Sequence, residues 1–215
     1  MVSKKAVIFG ASGLVGSHVL SALIRDNRYS NITIFLRKSM STRHLKVKEV
    51  ITDLHDLKKI RESLECDEIY CCLGSTIKKA GSEEAFRKVD FELPVMLGTL
   101  AAEKNIDHFL VVSSLGADAN SSNFYLKTKG EMEKALMQMN LKVLNIFRPS
   151  MLLGPRSESR PLESIGKVIM KSLGFLFVGG FKKYKAIDAG KVAEAMILAA
   201  NSNDSKMIYE SEEML

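Results

Sequence analysis

The stretch Lys5-Ala6-Val7-Ile8-Phe9-Gly10-Ala11-Ser12-Gly13-Leu14-Val15-Gly16 decides how the rest of the chain is read. Ala6 to Phe9 form a short apolar run rich in β-branched and aromatic side chains, the pattern of a buried strand. Glycines follow at Gly10, Gly13 and Gly16, and then Leu14, Val15, Val19, Leu20, Leu23 and Ile24 recur at helical spacing up to Arg25. Strand, glycine turn and helix together open a dinucleotide-binding βαβ unit. Gly10 lets the chain leave the strand tightly, Gly13 lets backbone approach a pyrophosphate, and Gly16 lets the helix pack against the sheet. The helix start offers unpaired N–H groups and the positive end of its dipole to phosphate oxygens. The bland alternative is a structural turn with no ligand.

Outward from this unit, apolar strand patterns alternate with helical ones. Strands are expected at Asn31–Leu36, Val47–Ile51, Asp67–Cys72, Ile106–Val112 and Leu141–Phe147, with a short one at 207–209. Helices are expected over 56–64, over a stretch from Phe86 to Ala101 with Pro94 as kink or boundary, from Tyr125 to about Met139, and from Ile187 to Ala200. The segment from Lys78 to Gly81 reads as a polar loop, and 162–173 as an amphipathic helix. Such alternation predicts an α/β fold with a mostly parallel, doubly wound sheet and helices on both faces.

Ligands of such sheets bind beyond the carboxyl ends of the strands. At the end of the second strand stand Arg37 and Lys38, with Arg43 nearby, and no Asp or Glu lies between Asp26 and Glu49. An acid there would hold ribose hydroxyls, whereas guanidinium matches a 2′-phosphate, so NADP(H) is expected over NAD(H). Solvated surface charge is the other reading. Leu73 and Gly74 follow the fourth strand, where a glycine permits close approach of backbone to cofactor. After the fifth come Ser113 and Ser114, and Tyr125 and Lys129 open the next helix four residues apart, on one face. An ammonium beside a phenol favours phenolate and lowers the tyrosine pKa. That makes Tyr125 a usable general acid or base, with an upstream serine to hold the substrate oxygen. Ser114 lies eleven residues before Tyr125 and Ser113 twelve, and Ser114 is narrowly preferred. Taken alone, Tyr-x-x-x-Lys is equally an ordinary helix start.

The ordered set of Gly10/Gly13/Gly16, Ser113-Ser114, Tyr125-x-x-x-Lys129 and Arg148-Pro149 resembles the short-chain dehydrogenase/reductase superfamily. More narrowly, Cys71-Cys-Leu-Gly-Ser-Thr76, Ser113-Ser-Leu-Gly-Ala-Asp118, Ser122-Asn-Phe-Tyr125, Lys129-Gly-Glu131 and the segment from Phe147 to Pro161 are similar to the HTATIP2/TIP30-like oxidoreductases, an atypical group within it. The resemblance runs from about Val7 to about Ala199. It implies a Rossmann-type NADPH-binding domain with Tyr125 as proton donor or acceptor and Lys129 as its partner. It also implies cofactor contacts at Ser12, Gly13, Leu14, Val15, Arg37, Lys38, Leu73, Gly74, Leu152 and Arg160. Asp53 falls where relatives place an acid beside the adenine, although it would serve equally as a helix cap. Asp90 stands where extended relatives often carry asparagine. Those relatives build a large substrate domain near the chain end, and here only 60 residues follow Pro155. The expectation is one domain over 1–215, with 156–185 as a small C-terminal substrate cap.

The expected function is NADPH-dependent hydride transfer to a small carbonyl substrate. The rival is a non-catalytic NADPH-binding regulatory or scaffold protein. A net charge of +6, from 31 basic and 25 acidic residues, is a mild excess without a basic stripe, so no nucleic-acid partner is expected. No apolar run approaches a membrane span, and Met1 leads straight into the first strand, leaving no room for a secretory signal. Cys66, Cys71 and Cys72 read as reduced packing residues, with the adjacent pair on opposite faces of a strand. A cytoplasmic monomer or homodimer is expected. The four histidines show no ligand spacing, so no metal is expected.

Overall fold

The computed structural model describes residues 3–154, 185–202 and 206–214. Strand β1 (Lys4–Phe9) leads through the glycine turn into α1 (Leu14–Arg25), then β2 (Tyr29–Leu36), β3 (Val47–Ile51), α2 (Leu57–Ser63) and β4 (Glu68–Cys71). Two short helices follow, α3 (Ile77–Ala80) and α4 (Glu83–Arg87). A π-helical turn over Lys88–Glu92 then joins α4 to α5 (Leu93–Glu103). The second half runs β5 (His108–Val112), α6 (Phe124–Met137), β6 (Val143–Arg148), β7 (Leu152–Leu153), β8 (Ile187–Asp188), α7 (Ala189–Ala200) and β9 (Ile208–Glu210). A 3-10 turn over Ser211–Met214 closes the described chain.

Seven strands form one sheet in the order β3-β2-β1-β4-β5-β6-β9, every neighbouring pair parallel. The order runs outward from β1 in both directions, so the chain reverses its winding between β1 and β4. That reversal leaves a crevice at the carboxyl rim, where such sheets take ligands. Side chains alternate across the strands and feed two cores. Ala6, Ile8, Ile34 and Val112 face α1 and α7 on one side, while Val7, Phe9, Phe35 and Val111 face α2, α5 and α6 on the other. Phe9 and Phe35 stack across neighbouring strands with ring centroids 4.7 Å apart. The opposite rim is sealed by the buried Glu68 carboxylate, which accepts from Tyr29 and Tyr70 at 2.8 Å each and from Lys4 at 2.6 Å. Burial pushes both phenols well above their ordinary pKa.

The α/β, Rossmann-like architecture is the expected one, with local differences. The 78–81 stretch is not a loop. Thr76 caps α3 by accepting from the Lys79 N–H, and Gly81 ends it in the left-handed region at φ +90°. The single helix expected from Phe86 is broken into α4, the π turn and α5, with Pro94 in the first turn of α5. Proline has no N–H to donate back to residue 90, and the ladder ahead of it slips so that the Leu93 N–H donates to Lys88 O, five residues back. Ile187 and Asp188 do not begin a helix: they pair with β7, and the Asp188 side chain caps α7 from outside. Of the expected cap at 156–185, only residue 185 belongs to the described part, and the expected helix 162–173 lies outside it, as does Arg160.

Candidate functional site

The glycine turn has the geometry its spacing calls for. Gly10 adopts φ +88°, and a Cβ there would lie 2.6 Å from Cys72 O. A Cβ on Gly16 would lie 2.1 Å from Gly10 O, so α1 crosses the end of β1 at a distance only glycine allows. The Gly13 N–H donates to Gly10 O at 2.9 Å, closing the turn, and Gly13 is the N-cap of α1 with no side chain bonded across the helix start. The first helical N–H groups are thus left to a ligand. They open into a pocket of about 410 Å³. It is lined by Ser12, Gly13, Leu14, Val15 and Ser17 on the α1 side, Cys72, Leu73, Gly74, Ser75 and Lys79 after β4, and Asp90, Val112, Ser113, Tyr125, Lys129 and Leu152 opposite.

Tyr125 and Lys129 therefore share one cavity with the glycine turn. Asn123 caps α6, its side-chain oxygen accepting from the Leu126 N–H at 3.1 Å, which starts the helix one residue before Tyr125. The Tyr125 ring packs against Phe86 of α4 with centroids 5.5 Å apart. Lys129 is buried, its Nζ 3.4 Å from Val112 O and 2.8 Å from Asp90 Oδ1. Asp90 lies in the π turn and is fully buried, and its Oδ2 accepts from the Ser75 N–H at 2.8 Å. The extra residue in that turn aims the carboxylate into the pocket, a common use of π turns. Oδ1 meets Lys129 as a charge contact rather than a well-directed hydrogen bond. Burial pulls the Lys129 ammonium down, but the Asp90 carboxylate and the Tyr125 phenol outweigh it and leave its pKa above the ordinary lysine value. The lysine is thus cationic throughout the neutral range.

Of the two serines, Ser113 is on the pocket wall, and Ser114 is not among the lining residues. The Ser114 hydroxyl turns to Leu115 O at 3.3 Å. The Ser113 hydroxyl donates to Glu133, a buried acid one turn beyond Lys129 on α6. Glu133 is clamped in turn by Arg148, whose guanidinium also reaches Glu210 at 2.9 Å. These partners lift the arginine pKa still higher, and β5, α6, β6 and β9 are joined behind the serine.

Arg37, Lys38 and Arg43 are exposed beyond the end of β2, outside the pocket lining. The loop they stand on is organised by Glu49, which accepts from the Ser39 hydroxyl at 2.5 Å and the Thr42 N–H at 2.8 Å. Asp53 is also exposed outside the lining. It accepts from the His55 N–H, while the neighbouring Asp56 caps α2. Gly10 and Gly16 shape the turn rather than line the cavity. Among the described residues no cluster of histidine, cysteine or acidic side chains could hold a metal, and no helix is long and apolar enough to cross a membrane. Cys71 and Cys72 pack into opposite cores, and Cys72 borders the pocket.

Sequence reading missed Glu133 and Phe86 as parts of the site, and gave Asp90 no role in it. Both acids have charged sequence neighbours, Lys88 and Glu92 around Asp90 and Glu131 and Lys134 around Glu133, so no local signal marks them as buried. The residues present fit a dinucleotide: an uncapped helix start behind a glycine turn, with Gly74 leaving room beside it, ends at a lysine and a tyrosine.

Residues 10–172 match a family model described as NAD(P)H-binding. HTATIP2 of Rattus norvegicus is 32% identical over 201 residues, which cover 92% of this chain and 81% of that protein. The mitochondrial protein FMP52 of Candida albicans is 33% identical over 193 residues, covering 86% and 84%. Among solved structures, the Bordetella bronchiseptica enzyme WbmH in complex with NAD+ superposes with a TM-score of 0.75 at 18% identity, covering 97% of this chain and 75% of its own. The oxidoreductase ylbE of Lactococcus lactis gives 0.68 at 19%, covering 95% and 88%. At such identities these two establish the fold alone. The match over 10–172 and the similarity to HTATIP2 go further: the chain belongs to the NAD(P)H-binding family, as an HTATIP2-like member.

Proposed function

We propose that the protein is an NADPH-dependent oxidoreductase of the atypical short-chain dehydrogenase/reductase type that reduces a small carbonyl compound. One observation carries this reading: Tyr125 and Lys129 line the same cavity as the uncapped glycine turn. When bound, the reduced nicotinamide supplies a hydride to the carbonyl carbon. The chain's own part is binding and proton delivery. The start of α1 would hold the phosphates, and the Lys129 ammonium, held in place by Asp90, would offer its remaining N–H groups to the ribose hydroxyls. Tyr125 gives its phenolic proton to the oxygen that gains charge, while Lys129 stabilises the phenolate left behind. Phe86 keeps the ring in place for that transfer.

The choice of NADPH is supported by Arg37 and Lys38, exposed beyond the end of β2, where the chain carries no acid between Asp26 and Glu49. We retain residues 156–185 as a small substrate cap. Three free thiols fit a reducing compartment, and we retain the cytoplasm. The test is consumption of NADPH with a panel of aldehydes and quinones. Tyr125→Phe is expected to bind NADPH as the parent does and to lose about 10²–10⁴-fold in turnover. Tight NADPH binding without consumption of any carbonyl would leave the site a sensor rather than an enzyme.

A further inference from the structure

The direction of one proton decides what Ser113 can offer a ligand. Its hydroxyl is bonded to Glu133 Oε1. Both carboxylate oxygens are already engaged by Arg148, Nε at 3.0 Å from Oε1 and Nη2 at 2.5 Å from Oε2. A guanidinium has donors only, so the carboxyl group between the arginine and the serine is an anion and accepts on every side. The proton in the Ser113–Glu133 bond is therefore the serine's own. A hydroxyl has one proton and two lone pairs, and only the lone pairs remain for the pocket. Bonds to a carboxylate are roughly twice as strong as neutral ones, so a ligand carbonyl does not take the proton back.

We propose that Ser113 meets the ligand as an acceptor, and that the site takes a carbonyl compound bearing a nearby hydroxyl, an α-hydroxy ketone or aldehyde. Its carbonyl oxygen faces Tyr125 and its hydroxyl donates to Ser113. This rests on the reading of Tyr125 given above. Glu133 is then a positioning residue, acting on the ligand only through the serine, and oxyanion stabilisation falls to Tyr125 and Lys129 rather than to Ser113.

The test is equilibrium binding, by ligand-observed magnetic resonance, of α-hydroxyacetophenone and acetophenone to the NADP+-loaded full chain. The hydroxy ketone is expected to bind about five- to tenfold more tightly, the share of one net hydrogen bond. Ser113→Ala should bring the two together. In Glu133→Gln the amide nitrogen takes the place of Oε1 at Ser113 and gives up the Arg148 Nε bond, while the amide oxygen keeps Nη2, and the serine proton is freed toward the pocket. That variant should narrow or reverse the preference, with circular dichroism and NADP+ affinity checking that it folds. Equal binding to the parent, binding of neither ketone, or a preference that survives Ser113→Ala overturns the proposal. Should NADP+ itself fail to bind, the oxidoreductase reading falls with it. Should NADP+ bind without discrimination between the ketones, only the role of Ser113 falls.

Discussion

Replacing Asp90 with alanine is the sharpest probe of the site's architecture. The carboxylate is buried at 1% side-chain exposure and stands 2.8 Å from an ammonium exposed at 4%. Removing one partner of such a pair strands the other charge in the interior, which costs about 3–5 kcal/mol. The Ser75 N–H loses its acceptor as well, but it is half-buried and water recovers part of that, so about 1 kcal/mol is added. The expected loss, about 4–6 kcal/mol, is a large share of a typical total of about 5–15 kcal/mol. Removing both charges in Asp90→Ala/Lys129→Met leaves no stranded ion, and the double variant should be more stable than Asp90→Ala alone by about 2 kcal/mol or more. The sign of the pH dependence follows. Without Asp90, burial acts on Lys129 with less opposition and its pKa drops below the unfolded value. The unfolded chain then binds more protons than the folded one, so the stability of the variant rises with pH and its deficit narrows as pH climbs toward the ordinary lysine value of about 10.4. Urea unfolding monitored by circular dichroism measures all three quantities. A single-variant loss below about 1 kcal/mol, or additivity of the two substitutions within about 0.5 kcal/mol, would refute a coupled buried pair.

Gly16→Ala tests the turn: its Cβ would stand 2.1 Å from Gly10 O, where both groups are backbone and neither can swing aside. A better helix former contributes about 1 kcal/mol, and overpacking costs about 3 kcal/mol or more, so a net fall of several degrees in Tm is expected, together with loss of NADPH affinity. A raised Tm would show that α1 does not cross β1 at this distance. The cysteines give a chemical check, because burial pushes Cys71 up to about 12 and Cys72 well above the ordinary thiol value. Iodoacetamide at about pH 8 should leave Cys71 unmodified in the folded protein and alkylate it once the chain is unfolded, and rapid labelling of native Cys71 would contradict the burial.

What could be read from the sequence follows from what is local. Gly10, Gly13 and Gly16 state a backbone requirement in three letters, and the alternation of strands with helices implies a parallel sheet whose carboxyl rim takes the ligand. The Tyr125–Lys129 pair needs only helical spacing to fall on one face. The π turn is different, because no propensity encodes it: it is the slip of a helix ahead of Pro94, and its consequence is felt at Lys129, far along the sequence from Asp90. Glu133 was hidden for a related reason. Its meaning depends on Arg148 from one strand and Ser113 from another, and only the folded sheet brings the three together. The narrow preference for Ser114 turned on a spacing difference of one residue, which flips a side chain to the other side of the chain as it leaves a strand.

The central claim is that a phosphorylated dinucleotide lies across the carboxyl rim with its 2′-phosphate at Arg37. Calorimetric titration of the parent and Arg37→Asp with NADPH and with NADH tests it most directly. The account predicts that NADPH binds the parent, and that the substitution weakens NADPH by far more than NADH, because a phosphate partner becomes a repelling charge. No heat from either cofactor at millimolar concentration, or an equal loss for both, would contradict it.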